Sequence, residues 1–173
     1  MSIHILTERL KLIACNQQTL TSAIQGNQAL SSHINAIVPQ GWSQFGNVAL
    51  QHALNKLNTA TDEQGWWSYL PIHKATNTLI GLCGYKGKPN PDGMVEIGYE
   101  IKTEYQNQGL ATELALALIT HAYTHQAVLY IQAHTLGQIN ASNRVLIKCG
   151  FEKTAEVDGK DLGTLWKWTL HKP

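Results

Sequence analysis

The sequence predicts one α+β domain spanning residues 1–173. Apolar periodicity along the chain runs strand, two helices, three strands, helix, strand, helix, two strands. No internal repeat, low-complexity segment or linker interrupts that order, and a chain of this length can bury a core without disulfide or metal staples.

Ile3, Ile5, Leu10 and Leu12 alternate with polar residues around Thr7-Glu8-Arg9 and read as an opening strand. Leu20, Ala23, Ile24 and Leu30 have loose helical spacing, and Leu50, Ala53, Leu54 and Leu57 form a stripe at i, i+3, i+4, i+7. Between them Val38–Gly46, with Pro39 and Gly41, is predicted to be a loop carrying Trp42 and Phe45. Trp66–His73 and Leu79–Tyr85 read as a hairpin joined by residues 74–78, followed by a breaker-rich turn over Gly87–Gly93. Val95, Ile97, Tyr99 and Ile101 then alternate with Glu96, Gly98 and Glu100, a strand with two unlike faces. Helix is predicted from Gly109 to about His125, strand over Val128–Thr135, and a short helix over Ser142–Cys149 stopped by Gly150. Lys153–Val157 and Leu162–Leu170 close the chain as two strands.

Composition narrows the function classes. The chain is 43% hydrophobic and 14% charged, with a net charge of +1, so no basic field attracts nucleic acid or anionic membrane. Residues 1–12 alternate charged and apolar positions unlike a signal peptide, and no apolar run is long enough to span a bilayer. Cys15, Cys83 and Cys149 are an odd count at wide spacing, which argues for a reducing compartment. The expectation is a cytoplasmic protein, monomeric or a homodimer.

The chemical signal is Tyr105-Gln106-Asn107-Gln108-Gly109-Leu110-Ala111-Thr112, between a strand and an apolar helix. The first turn of a helix has N–H groups without partners and a partial positive charge, and so welcomes a phosphate. Gly109 and Ala111 leave the backbone approachable, and Thr112 adds a hydroxyl. The stretch has no Gly-Lys-Ser/Thr and no G-x-G-x-x-G, so it is neither a Walker A loop nor a dinucleotide loop. Q-x-x-G-x-A alone fits a plain strand-to-helix connection as well.

Four segments together change that reading. Val95–Ile101 with Tyr105–Glu113, Asn140-Ala141-Ser142-Asn143-Arg144-Val145-Leu146, Lys148-Cys149-Gly150-Phe151 and Thr7-Glu8-Arg9-Leu10-Lys11-Leu12 occur in order. They resemble the GNAT N-acetyltransferase superfamily, whose Q/R-x-x-G-x-G/A signature matches at Gln106, Gly109 and Ala111; the opening is similar to the Rim-type branch. The resemblance implies a mixed, mostly antiparallel sheet with splayed middle strands, here Val95–Lys102 and Val128–Thr135, and helices on both faces. It implies acetyl-CoA as co-substrate and no metal. Pantetheine would pair with the backbone around Tyr99, Glu100, Ile101 and Lys102 like an added strand. The N–H near Ile101 would polarise the thioester carbonyl, and Gln106 to Thr112 would hold the pyrophosphate.

Direct attack of an amine on a thioester needs a base for the ammonium proton and an acid for the thiolate. Glu96 is the family-placed base, with Glu100 and His134 as weaker candidates; an ordinary solvated strand position is the other reading of Glu96. No tyrosine follows Tyr130 to serve as the acid, and Ser142, at the serine of the family's N-x-x-S pattern, is the candidate. A serine before an apolar run is equally a helix N-cap. The family's asparagine falls at Ile139, and Asn140 beside it is carried over as a coenzyme contact. His121 and His125 have zinc-compatible i, i+4 spacing without a third ligand and read as a packed or solvated pair. Trp42 and Phe45 read equally as an acceptor wall or a core cap. The expectation is an enzyme that acetylates a primary amine, on a small molecule or a peptide. The alternatives are a longer acyl donor or a coenzyme-binding module without turnover.

Overall fold

The computed structural model describes residues 3–173; Met1 and Ser2, part of the predicted domain, lie outside the described residues. The opening segment forms two strands, β1 (His4–Leu6) and β2 (Leu10–Ala14), paired antiparallel. Its turn contains neither glycine nor proline: Thr7 Oγ1 accepts the Leu10 N–H at 2.9 Å and closes it. α1 (Gln17–Gln25) is capped by Asn16, whose side chain accepts from the Thr19 N–H at 2.8 Å, and Gly26 at φ 130° separates it from α2 (Asn27–Ile34). α3 (Gly46–Thr59) buries Leu50, Ala53 and Leu57, the stripe read from the sequence.

β3 (Ser68–His73), β4 (Thr78–Leu79), β5 (Gly81–Tyr85) and β6 (Met94–Ile101) follow. Then come α4 (Leu110–Tyr123), β7 (Tyr130–Leu136), α5 (Ala141–Lys148), β8 (Glu152–Asp158) and β9 (Thr164–His171). The last strand starts two residues later than its apolar pattern because Lys160–Leu162 coil into a 3₁₀ turn. Gly150 stops α5 at φ 90°.

The sheet order is β1-β2-β3-β5-β6-β7-β9-β8, with β4 also on β3. Every pairing is antiparallel except β6–β7. That parallel ladder holds only Met94–Glu96 against Tyr130–Gln132; beyond it the two strands part. The α+β class, the mixed sheet and the splay between its middle strands thus agree with the family resemblance. α4 and α5 cover one face through Leu110, Leu114, Leu118 and Leu146 against Val95, Ile97 and Ile131. α1–α3 cover the other through Leu20, Leu30, Leu50 and Leu57 against Leu70, Ile72 and Leu82. Helices therefore flank both faces, and the alternation of β6 divides between them: Val95 and Ile97 belong to the α4 side, while Glu100, opposite Leu82 in the register, faces the α3 side. Among the described residues, no helix is long and apolar enough to cross a membrane.

Candidate active site

The loop into α4 is shaped by side chains folding back on the backbone. Gln106 Nε2 donates to the Ile101 carbonyl at 2.8 Å and Gln108 Nε2 to the Glu104 carbonyl at 3.0 Å. Asn107 (φ 58°) and Gly109 (φ 78°) both adopt the left-handed conformation. Successive turns of this kind aim neighbouring N–H groups in one direction, an anion-binding concavity. Gly109 takes the N-cap position, which offers no side-chain oxygen. Among the described residues, no protein acceptor meets the N–H groups of Asn107 to Thr112. The glycine is needed for its backbone angle, because an added Cβ would meet nothing closer than the Arg9 guanidinium at 3.4 Å.

This loop is braced from the far end of the sheet. Arg9 Nη1 donates to the Gln108 carbonyl at 2.8 Å and its Nε lies 2.7 Å from Glu113 Oε2, while Thr7 Oγ1 donates to Glu113 Oε1 at 2.6 Å. Burial opposes the Glu113 charge, but the hydrogen bonds from Thr7 and Arg9 and the Arg9 charge outweigh it. The carboxyl is therefore held below its ordinary range.

β6 supplies the second wall. Lys102 N–H donates to the Ile80 carbonyl and Lys86 N–H to the Glu96 carbonyl, which fixes the phase of the β5–β6 ladder. Hydrogen-bonded pairs alternate along such a ladder, so Tyr99 and Ile101 direct their backbone groups away from β5, into the gap beside β7. The Ile101 N–H is thus presented where an extended ligand would lie.

A cavity of about 660 Å³ occupies this gap. Its lining includes Tyr99, Glu100, Ile101, Gln106, Asn107, Gly109, Ala111, Thr112 and Ser142, all singled out in the sequence. It does not include Gln108, Leu110, Asn140 or Glu96. Leu110 is buried in the core and offers the site only its backbone. Asn140, not Ser142, caps α5: Asn140 Oδ1 accepts the Asn143 N–H at 3.1 Å and Asn143 Oδ1 accepts the Asn140 N–H at 2.9 Å. The N-cap reading of Ser142 is corrected accordingly, and Asn140 is engaged in the cap instead of facing the cavity. Arg144 and Lys148, which the sequence reading passed over, line the cavity from α5. Their i, i+4 spacing was the available signal, since it puts both cations on one helix face.

A second cavity of about 370 Å³ lies on the α3 side of the sheet, lined by Phe45, Ala49, Leu82, Gly84, Gly98 and Glu100 among others. Phe45, Tyr99 and Glu100 line both cavities. Glu100 accepts hydrogen bonds from Ser43 Oγ and, at 3.2 Å, from the Gln44 N–H, tying the loop before α3 to β6. Trp42 is buried, with Nε1 donating to Asn27 Oδ1 at 3.2 Å, so it caps the helical core and also edges the larger cavity, whereas Phe45 is 69% exposed.

Glu96 lies on the same strand face as Glu100, two positions before Gly98. Its carboxylate is 17% exposed and paired with the Lys86 ammonium, and its Oε1 is 2.9 Å from His134 Nδ1. Nδ1 faces the carboxylate, and a neutral ring with its proton there would present Nε2 as an acceptor. On the opposite face the Tyr99 hydroxyl is buried and, among the described residues, without a partner, and burial pushes its pKa up. His121 and His125 pack edge to face at 5.4 Å, with His125 on Trp66 and His121 near Tyr69 and Tyr85.

The sequence model of the acetyltransferase (GNAT) domain matches residues 22–152. The uncharacterized N-acetyltransferase YjdG of Bacillus subtilis (strain 168) is 30% identical over 96 residues, covering 54% of this chain and 57% of that protein. The chain spans 44–57% of the length of the curated relatives it matches. RimL, a ribosomal L7/L12 alpha-N-protein acetyltransferase, superposes with a TM-score of 0.71 at 17% identity, covering 99% of this chain and 96% of RimL. The microcin C7 self-immunity acetyltransferase MccE, solved with acetyl-CoA and AMP, superposes with a TM-score of 0.68 at 11% identity, covering 96% and 94%.

Proposed function

The chain belongs to the acetyltransferase (GNAT) family, and from that membership we propose that it is an enzyme transferring an acetyl group from acetyl-CoA directly to a primary amine. The observation that carries the reading is the convergence on one cavity of two backbone features whose N–H donors lack acceptors. These are the uncapped N–H groups from Asn107 to Thr112 and the β6 edge facing the gap. On that edge the Ile101 carbonyl accepts from Gln106 but, among the described residues, the Ile101 N–H and the Tyr99 backbone meet no protein partner. The first suits a pyrophosphate and the second an extended pantetheine arm. Arg144 and Lys148 supply countercharge to the phosphates.

In this reading the thioester lies at Ile101, whose N–H stabilises the oxygen that becomes negative as the amine attacks. The Glu96–His134 pair takes the ammonium proton, with Glu96 holding the His134 ring through Nδ1. Collapse of the tetrahedral intermediate breaks the carbon–sulfur bond, and the Ser142 hydroxyl meets the departing thiolate. Glu100 is a second reading for the base, favoured by its place at the junction of the two cavities. Against it stands its engagement with Ser43 and Gln44.

Kinship of fold supports a peptide N-terminus or a small amine as the acceptor. The test is acetyl-CoA consumption against a panel of peptides and amines, alongside the thermal shift caused by coenzyme A. Transfer to some member with a coenzyme shift supports the reading. A shift without transfer to any amine makes the chain a coenzyme-binding module, and no shift removes the donor assignment altogether.

A further inference from the structure

The second cavity deepens this reading and rests on it. Its floor is a dent in the sheet where Gly84 and Gly98 stand opposite each other on neighbouring strands. The two glycines have different causes. A Cβ on Gly84 would fall 2.0 Å from the Trp67 carbonyl oxygen, so the fold itself demands glycine there. A Cβ on Gly98 would meet only the flexible end of Lys86, at 3.9 Å, and Gly98 has no positive φ to require it. A glycine inside a strand weakens the strand, and where packing does not explain it the space belongs to something that approaches from outside.

The walls say what that is. Leu82 borders the dent on the same sheet face, Ala49 and the exposed Phe45 ring line it from the α3 side, the Lys86 side chain edges it beside Gly98, and Glu100 lies at the end that meets the donor cavity. An apolar hollow thus opens directly onto the place where the thioester is expected. Glu100 lines the cavity where it meets the donor side, so an ammonium arriving there meets a carboxylate; Glu96, on the same strand face beyond Gly98, lies outside the lining and is paired with Lys86. We propose that this cavity seats the side chain of the acceptor, and that the acceptor is a primary amine whose amine-bearing carbon carries an apolar or aromatic side chain. An amino-acid amide and the first residue of a peptide present this same chemistry.

Acetylation of glycinamide, leucinamide, phenylalaninamide and free leucine, and of tripeptides beginning with glycine or leucine, tests it. The expected result is kcat/KM at least about tenfold higher for the leucine and phenylalanine members than for the glycine members, in the amide series, the peptide series or both. Gly98→Val fills the dent and is expected to abolish that ratio, while the thermal shift given by coenzyme A reports that the fold persists. Gly98→Ala, a smaller intrusion, is expected to lower the ratio part-way. Equal rates across side chains, or a ratio unchanged in both Gly98 variants, would overturn the proposal. A second measurement separates it from the donor assignment: phenylalaninamide titrated into coenzyme-free protein, followed by thermal shift, should stabilise the wild type and not Gly98→Val. That titration decides the cavity even if coenzyme A fails to bind, a result that would instead sink the acetyltransferase reading.

Discussion

Glu96 Oε1 and His134 Nδ1, 38 residues apart in the chain, meet at 2.9 Å where the β6–β7 ladder ends. The bond spans the first step of the gap and joins the two parting strands through side chains after their backbones have separated.

Removing either member of this pair should act on chemistry and spare donor binding. Glu96→Gln and His134→Ala are expected to lower kcat by about a hundredfold. The thermal shift from coenzyme A should stay at the wild-type value in both. Were Glu100→Gln alone to give that pattern, the base would be Glu100.

Glu113 makes stability depend on pH in a defined direction. Its folded pKa is depressed, so the folded state binds fewer protons than the unfolded state as pH falls. The stabilisation is fully present above the ordinary glutamate value of 4.5 and is lost as pH drops through the lower folded value. Urea midpoints of wild type and Glu113→Gln should differ at pH 7 and converge toward pH 3.

Gly109 holds a left-handed angle that a side chain resists. Gly109→Ala is expected to cost about 1–2 kcal/mol of stability by chemical denaturation. It should also weaken coenzyme A binding in calorimetry, since relaxing the angle re-aims the N–H groups. Asn107→Gly, at the neighbouring left-handed position, should be tolerated in both measurements.

Asn140 and Ser142 separate capping from catalysis. Asn140→Ala removes half of a reciprocal cap and should destabilise the protein by about 1 kcal/mol. Ser142→Ala should change stability by less than about 0.5 kcal/mol. It should lower kcat if its hydroxyl meets the thiolate, and an unchanged kcat would remove Ser142 from the mechanism.

Arg144 and Lys148 should contribute charge attraction to the phosphates. The double change to glutamine is expected to weaken coenzyme A binding and to flatten its dependence on salt, measured by titration at low and high ionic strength.

The strand β6 was legible because a strand with unlike neighbours on its two faces must alternate, and Val95, Glu96, Ile97 and Gly98 do. The division of the opening segment into β1 and β2 was not, because its turn is closed by the Thr7 hydroxyl instead of by glycine or proline. Ser142 and Asn140 are both cap-forming types, and only the reciprocal bond with Asn143 decides between them. The splay was reached through family resemblance alone, since pairing between Met94–Glu96 and Tyr130–Gln132 leaves no local pattern in either segment. Arg9 illustrates the same limit: its partner Glu113 is 104 residues away. Gly98 left the weakest trace of all, because a cavity floor is marked by the side chain that is missing.

The parallel ladder of Met94–Glu96 with Tyr130–Gln132, extended by the Leu129 and Tyr130 N–H groups on the Gly93 carbonyl, is also the backbone seam between two half-sheets, β1–β6 on one side and β7–β9 on the other. A seam confined to one end works as the rivet of a pair of tongs. An extended ligand lying between the open jaws would bond to one and pack on the other, so that occupancy would clamp the halves together. Slowed hydrogen exchange at Tyr99 and Ile101 would be the first sign of that grip.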